Sequence, residues 1–286
     1  MSIYEIFKAI LFGIVEGIAE WLPISSTGHM LLLNQIMPLQ VSESFYQLFE
    51  VVIQLGAIMA VLMVYWDVVW PFGRRGNRHP AGRDGFLRWV KMDRVMLWLK
   101  ILVACVPAAV VGLLFDDVLD ALFYGPMCVS VMLILVGAAF ILIENLREGK
   151  EPVTTSLWEL GFGTAALIGV FQLIAAVFPG TSRSGATVIG ALLLGVSREV
   201  AVEFTFFLAI PVMFGASLLK IARYGAAISG NEFILLAVGM LTAYIVSMLV
   251  VRLLVNYVKT HDFKAFGWYR IVLGIVVLSY FLFFVR

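Results

Sequence analysis

Gly13-Ile-Val-Glu16-Gly-Ile-Ala-Glu20-Trp21-Leu-Pro23-Ile-Ser25-Ser26-Thr-Gly28-His29 is an oily segment that carries two carboxylates, breaks at a proline and ends in hydroxyls and an imidazole. A related stretch begins 156 positions later: Gly169-Val-Phe-Gln172, six residues, then Pro179-Gly-Thr181-Ser182-Arg183-Ser184-Gly185-Ala-Thr187. Interrupted hydrophobic segments at matching places in two halves of a chain point to a binding site at membrane depth. The copies differ in charge: the first holds Glu16, Glu20 and His29, the second Arg183.

The surrounding composition sets the solvent. The chain is 62% hydrophobic, only 14% charged, and has a mean hydropathy of +1.00. A soluble domain carries about 25% charged residues, so this is an integral membrane protein. A net charge of +1 and the lack of a basic block interleaved with aromatics argue against a nucleic-acid partner. Cys105 and Cys128 lie in apolar segments and read as small buried hydrophobes, without a disulfide or metal pattern. The N-terminus lacks a basic region and small-residue cleavage site, so it is expected to be retained.

Six segments read as ordinary spans, with apolar cores at 51–66, 95–115, 127–143, 204–219, 233–251 and 271–285; Lys100 alone interrupts the second. Trp66, Trp70, Trp268 and Tyr269 fall at segment ends, where amphipathic rings favour the interface. Stretches 9–33 and 160–196 hold the two motifs. The second is 37 residues long with one charge, too long for a single span and suited to two half-length helices. Loops 67–94, 144–159 and 252–270 carry thirteen Lys and Arg residues against two in loops 116–126 and 220–232. The positive-inside rule therefore favours a hairpin at 160–196 that returns to its own side, with the basic loops cytoplasmic. Each half, 1–150 and 151–286, then has one re-entrant hairpin and three spans. The odd number inverts the second half relative to the first. The expected fold is all-α: six transmembrane helices plus two re-entrant hairpins related by an inverted-topology repeat. Non-helical backbone at that depth must be buried in protein or line a wet cavity, which implies a cavity between the hairpins.

Glu16 and Glu20 are four apart on one helix face. Two neighbouring carboxylates in a low dielectric need a cation beside them. Arg183, crossing from the other hairpin, and a divalent cation such as Mg²⁺ or Ca²⁺ supply the charge; a purely structural ion pair is the alternative. Ser182-Arg183-Ser184-Gly185, before an apolar helix, offers backbone N–H groups, a positive dipole end and a guanidinium, the elements of a phosphate site to which Thr187 adds a hydroxyl. Ser26 lies three residues from His29, a spacing that allows an imidazole-assisted nucleophile, so Ser26, His29, Glu20 and Arg183 are the catalytic candidates. Attack by Ser26, by His29 or by cation-activated water stays open. Glu50 and Gln54, Gln172, and Glu203 are candidates for orienting the site, or interfacial residues facing water. Glu159, Arg198 and the cluster from Arg74 to Arg94 read as solvated or headgroup-facing charges. The set matches hydrolysis of a phosphate ester or diphosphate on a lipid that enters from the bilayer. A transporter or flippase is the rival class, because broken helices at the midplane also serve transport.

Glu16-Gly-Ile-Ala-Glu20-Trp-Leu-Pro-Ile-Ser-Ser26-Thr-Gly-His29, Pro179-Gly-Thr-Ser182-Arg183-Ser-Gly-Ala-Thr187 and Phe49-Glu50-Val-Val-Ile-Gln54-Leu-Gly resemble motifs of the bacterial undecaprenyl-diphosphate phosphatase family, the bacitracin-resistance type. The likeness covers essentially the whole chain; Trp21 and Thr181 are mild departures. The resemblance implies removal of the terminal phosphate from undecaprenyl diphosphate, which recycles the carrier lipid of cell-wall synthesis and confers bacitracin resistance. It implies a divalent-cation requirement, the bacterial inner membrane, and a site opening to the periplasmic side. Similar chemistry in the phosphatidic-acid phosphatase superfamily requires a histidine soon after Ser-Arg, and none follows Arg183 before His261. A homodimer is carried beside a monomer, since no residue pattern decides between them.

Overall fold

The computed structural model of the chain describes residues 2–73, 77–82, 85–123, 125–225 and 228–283. Among these residues the chain is helical, with no strand beyond isolated bridges. The helices are α1 (Ile3–Ala19), α2 (Ser26–Ile36), α3 (Glu43–Val64), α4 (Trp66–Val69), α5 (Met92–Phe123), α6 (Pro126–Arg147), α7 (Phe162–Val177), α8 (Arg183–Leu193), α9 (Arg198–Tyr224), α10 (Gly230–Val258) and α11 (Lys264–Phe283). Six of them, α3, α5, α6, α9, α10 and α11, are long and apolar enough to cross a bilayer, and each overlaps one expected core. The chain is an all-α polytopic membrane protein.

Local chemistry starts the long helices. Ser42, Ser197 and Ser229 accept from the backbone N–H of Phe45, Val200 and Glu232 and so cap α3, α9 and α10. Pro126 opens α6, where its missing N–H costs nothing. The α6–α11 crossing depends on the absence of side chains: a Cβ on Gly137 would sit 2.6 Å from the carbonyl oxygen of Gly267, and one on Gly267 would sit 2.8 Å from that of Gly137. Small residues let membrane helices approach this closely.

The helix contacts follow a two-fold pattern. α1 packs on α10 and α7 on α5; α3 packs on α10 and α9 on α5; α3 meets α9, and α6 meets α11. Exchanging α1 with α7, α3 with α9, α5 with α10 and α6 with α11 turns each of these six contacts into another of them or into itself; smaller contacts such as α8 with α9 and α6 with α8 have no comparable image. Gly13 and Gly169 occupy equivalent places in it: an added Cβ would meet the Gly239 oxygen of α10 at 2.6 Å or the Ala104 oxygen of α5 at 2.2 Å.

One charge is placed differently from expectation. Arg198 is not simply solvated: it donates through Nε and Nη2 to Glu144, which is buried in α6 and also accepts from the backbone N–H of Phe263. A buried carboxylate requires such partners. Lys100 donates to the carbonyl of Trp158 at 3.1 Å. Of the arginine cluster, Arg74, Arg75 and Arg83 lie outside the described residues.

Candidate active site

Both motifs fold as a helix, a break and a second short helix. α1 ends at Ala19 with Glu20 as its C-cap, and α2 starts at Ser26; α7 ends at Val177, and α8 starts at Arg183 after the Pro179-Gly180 turn. The residue before each short helix is a serine with left-handed backbone, Ser25 at φ 73° and Ser182 at φ 70°. They are the only non-glycine residues with positive φ among the described residues. Such a conformation costs about 1 kcal/mol or more and persists where the surroundings impose it. Each serine side chain accepts from the backbone N–H three residues on, Gly28 at 3.4 Å and Gly185 at 3.2 Å. Ser25 therefore corresponds to Ser182, so the second loop is one residue longer and the 156-residue spacing becomes 157 from there onward. In this register Ser26 and Arg183 are equivalents, each the first residue of its helix.

Glu20 joins them. Its Oε2 accepts from Ser26 Oγ at 2.8 Å and its Oε1 from Arg183 Nη2 at 2.9 Å. Both short helices thus turn their positive N-terminal ends toward one carboxylate. Arg183 Nη1 donates to the Thr205 carbonyl at 3.0 Å, whereas its Nε is buried without a protein partner. Ser184 donates to the carbonyl of Glu20 at 3.2 Å and shares a 3.0 Å hydrogen bond with Ser182, tying the second loop to the first. Exposure divides the residues into two groups. Ser26, His29, Ser182 and Arg183 are half-buried, while Ser25, Gly28, Ser184 and Thr187 are buried.

The remaining candidates separate. Thr187, expected at the phosphate, is fully buried: its hydroxyl reaches the carbonyls of Arg183 and Ser184 and shares a 2.8 Å bond with Thr205. It braces the first turn of α8 against α9. The ring nitrogens of His29 bond elsewhere than to Ser26: Nδ1 lies 2.7 Å from the Ser25 carbonyl and Nε2 2.7 Å from the Tyr269 hydroxyl. Glu16 is buried beside Glu20, with Glu50 among its charged neighbours and its own Oε1 unpartnered in the protein. These two glutamates are the side chains that could hold a divalent cation. No cluster of three or more His, Cys, Asp or Glu occurs among the described residues. Gln172, the equivalent of Glu16, is buried with neither amide atom paired. Glu50 accepts from Tyr46 at 2.7 Å; Gln54 is half-buried. Glu203 has Tyr65, Glu199 and Lys259 as neighbours and stands apart from the Glu20–Arg183 pair. Where a cavity between the two broken segments was expected, Glu20, Ser26 and Arg183 are in direct contact, beside half-buried His29 and Ser182. Cavities of about 200 Å³, beside Pro126, Ser130 and Phe281, and about 310 Å³, beside Glu144, Arg147 and Lys259, are lined by none of the catalytic candidates.

One residue that sequence reading counted with the basic loops belongs to the site. Arg270 of α11 is 0% exposed and donates to the carbonyls of Pro23 (3.0 Å), Gly180 (2.8 Å) and Thr181 (2.8 Å). It fastens both loops, three bonds from one guanidinium, with no carboxylate partner among those bonds. Its position at the edge of an apolar run looks like an interfacial cation; the only signal was that it sits inside the helical pattern. Replacing Arg270 with Met leaves three buried carbonyls unpaired, at about 1–3 kcal/mol each, offset in part by removing a buried charge. A net loss of about 3 kcal/mol is expected, read as a lower thermal midpoint in detergent; an unchanged midpoint would contradict the clamp.

The fold and site define a class: a multi-pass helical membrane protein whose two broken segments bring a carboxylate, a hydroxyl and a guanidinium into contact. The family described as "Bacitracin resistance protein BacA" matches residues 9–276, and the chain belongs to it. Among similar proteins are Undecaprenyl-diphosphatase 1 of Clostridium acetobutylicum, 57% identical with 99% of each chain covered, and the Undecaprenyl-diphosphatase of Desulfitobacterium hafniense, 55% identical with 98% of each covered. The Undecaprenyl-diphosphatase of Enterococcus faecalis is 50% identical, covering 97% of this chain and 98% of its own.

Proposed function

We propose that the chain hydrolyses undecaprenyl diphosphate to undecaprenyl phosphate and inorganic phosphate, recycling a lipid carrier of cell-wall synthesis and so conferring bacitracin resistance. The observation that carries the reading is the meeting of Ser26 and Arg183 on the two oxygens of Glu20. Ser26 is the nucleophile. Its Oγ attacks the terminal phosphorus, the bond to the bridging oxygen breaks, and the lipid monophosphate leaves. Glu20 takes the serine proton, a role for which its 2.8 Å contact is suited. Water then attacks the phosphoserine, and the serine oxygen recovers a proton as it departs. Arg183, with an unpaired Nε, and Ser182, at the open end of α8, hold the phosphoryl oxygens. His29 acts on the loop rather than on the hydroxyl.

Glu16 and Glu20 fit a divalent cation: the orphaned, buried Oε1 of Glu16 beside a second carboxylate is a hard oxygen donor set. Mg²⁺ or Ca²⁺ there would supply charge stabilisation for the transferring phosphoryl group.

In this reading α1–α2 and α7–α8 are re-entrant hairpins entering from opposite sides of the bacterial inner membrane, the halves 1–150 and 151–286 are an inverted repeat, and the site opens to the periplasmic face. The exchange symmetry of the helix contacts supports the repeat. A homodimer is compatible with the apolar outer faces.

The test is phosphate release from an isoprenyl diphosphate in detergent by purified protein, with Mg²⁺ or Ca²⁺ against an EDTA control. Metal-dependent release is expected. Release unaffected by EDTA would remove the cation, and no release under any condition would favour lipid transport.

A further inference from the structure

Tyr269 belongs to neither motif, yet its hydroxyl lies 2.7 Å from His29 Nε2, with the two rings within 5° of parallel. The other ring nitrogen fixes the proton pattern. Nδ1 is 2.7 Å from the Ser25 carbonyl, which can only accept, so Nδ1 carries the proton. In the neutral imidazole Nε2 is then an acceptor, and the Tyr269 hydroxyl donates to it. Both nitrogens are occupied, and Ser26 turns instead to Glu20.

The consequence runs along the chain. His29 holds the carbonyl of Ser25, one of the two non-glycine residues with positive φ among the described residues, and the next residue is Ser26. We propose that Tyr269 is a positioning residue: by occupying His29 Nε2 it fixes the tautomer and the ring, so that Nδ1–H keeps Ser25 left-handed and Ser26 Oγ aimed at Glu20. Arg270, the next residue of α11, already fastens the two loops to the same helix. α11 therefore supplies the scaffold on which both motifs are aligned.

The effect on turnover rests on the assignment of Ser26 and Glu20; the state of the imidazole does not, and it is read separately. The chain has three histidines, and His79 and His261 are exposed, so the H79Q/H261Q protein presents His29 alone. Diethyl pyrocarbonate acylates an unprotonated imidazole nitrogen. Tyr269→Phe in that background is expected to speed modification about fivefold or more as Nε2 becomes free. It should also lower kcat about tenfold, with KM within about threefold and the thermal midpoint retained, because small misalignments of a nucleophile are costly. Equal modification rates, an unchanged kcat, or a loss of kcat explained by unfolding would each overturn the proposal. Absence of hydrolysis in the parent protein would sink the Ser26–Glu20 assignment while leaving the modification result to judge Tyr269.

Discussion

Arg183→Ala is expected to lower kcat by about a thousandfold or more, the scale set by arginines that stabilise a transferring phosphoryl group, while the protein remains extractable and folded in detergent. Arg183 is the sole charge in the stretch 160–196, it pairs with Glu20 at 2.9 Å, and its Nε has no protein partner. Removing it takes away the phosphate fork and leaves Glu20 with the hydrogen bond from Ser26. Arg183→Lys should recover little, because an ammonium cannot present a planar fork to both a carboxylate and a phosphate. Steady-state phosphate release, normalised to folded protein, measures both. Activity within about tenfold of the parent in the alanine variant would defeat the phosphate assignment.

Glu20→Gln should cost about 10²–10⁴ in kcat, the range of a lost general base. The geometry makes the change more than a neutralisation. Glu20 accepts from Arg183 at one oxygen and from Ser26 at the other. A glutamine has a single acceptor oxygen, so its NH₂ must face one of these donors. Facing the guanidinium, which cannot accept, the NH₂ abolishes that bond; facing Ser26 it makes the hydroxyl an acceptor and removes the oxygen that would take its proton. Glu16→Gln is the contrast: Glu16 lies against Glu20, whereas the hydrogen bonds of Ser26 and Arg183 go to Glu20. Its replacement should chiefly raise the Mg²⁺ or Ca²⁺ concentration needed for half-maximal rate. Equal losses in the two variants, insensitive to added cation, would merge the roles separated here.

Much of this arrangement was legible because charges in oil must find partners. Glu16, Glu20 and Arg183 stand in apolar segments, and the direct Glu20–Arg183 bond is the outcome such isolation demands. The six long helices and the two interrupted stretches followed from apolar run length and from Pro and Gly at the breaks. The loops were harder to read. Serine does not announce a left-handed backbone as glycine does, so nothing marked Ser25 and Ser182 as equivalents or exposed the one-residue difference between the loops. His29 was read from its spacing to Ser26, but α2 begins at Ser26, and the ring folds back to the carbonyl four residues before it. The fastening by Arg270 depends on three carbonyls from two distant segments, a relation that no local pattern carries. Thr187 looked like a phosphate ligand because of its motif; its contact with Thr205 of α9 is a tertiary fact.

The nucleophile is the point at which the account is most exposed. Purified protein mixed with substrate labelled in the terminal phosphate, quenched in acid within one turnover and digested, should yield acid-stable label on the peptide bearing Ser26, and Ser26→Ala should yield none. Acid-labile, base-stable label on His29, or full turnover by Ser26→Ala, would contradict it.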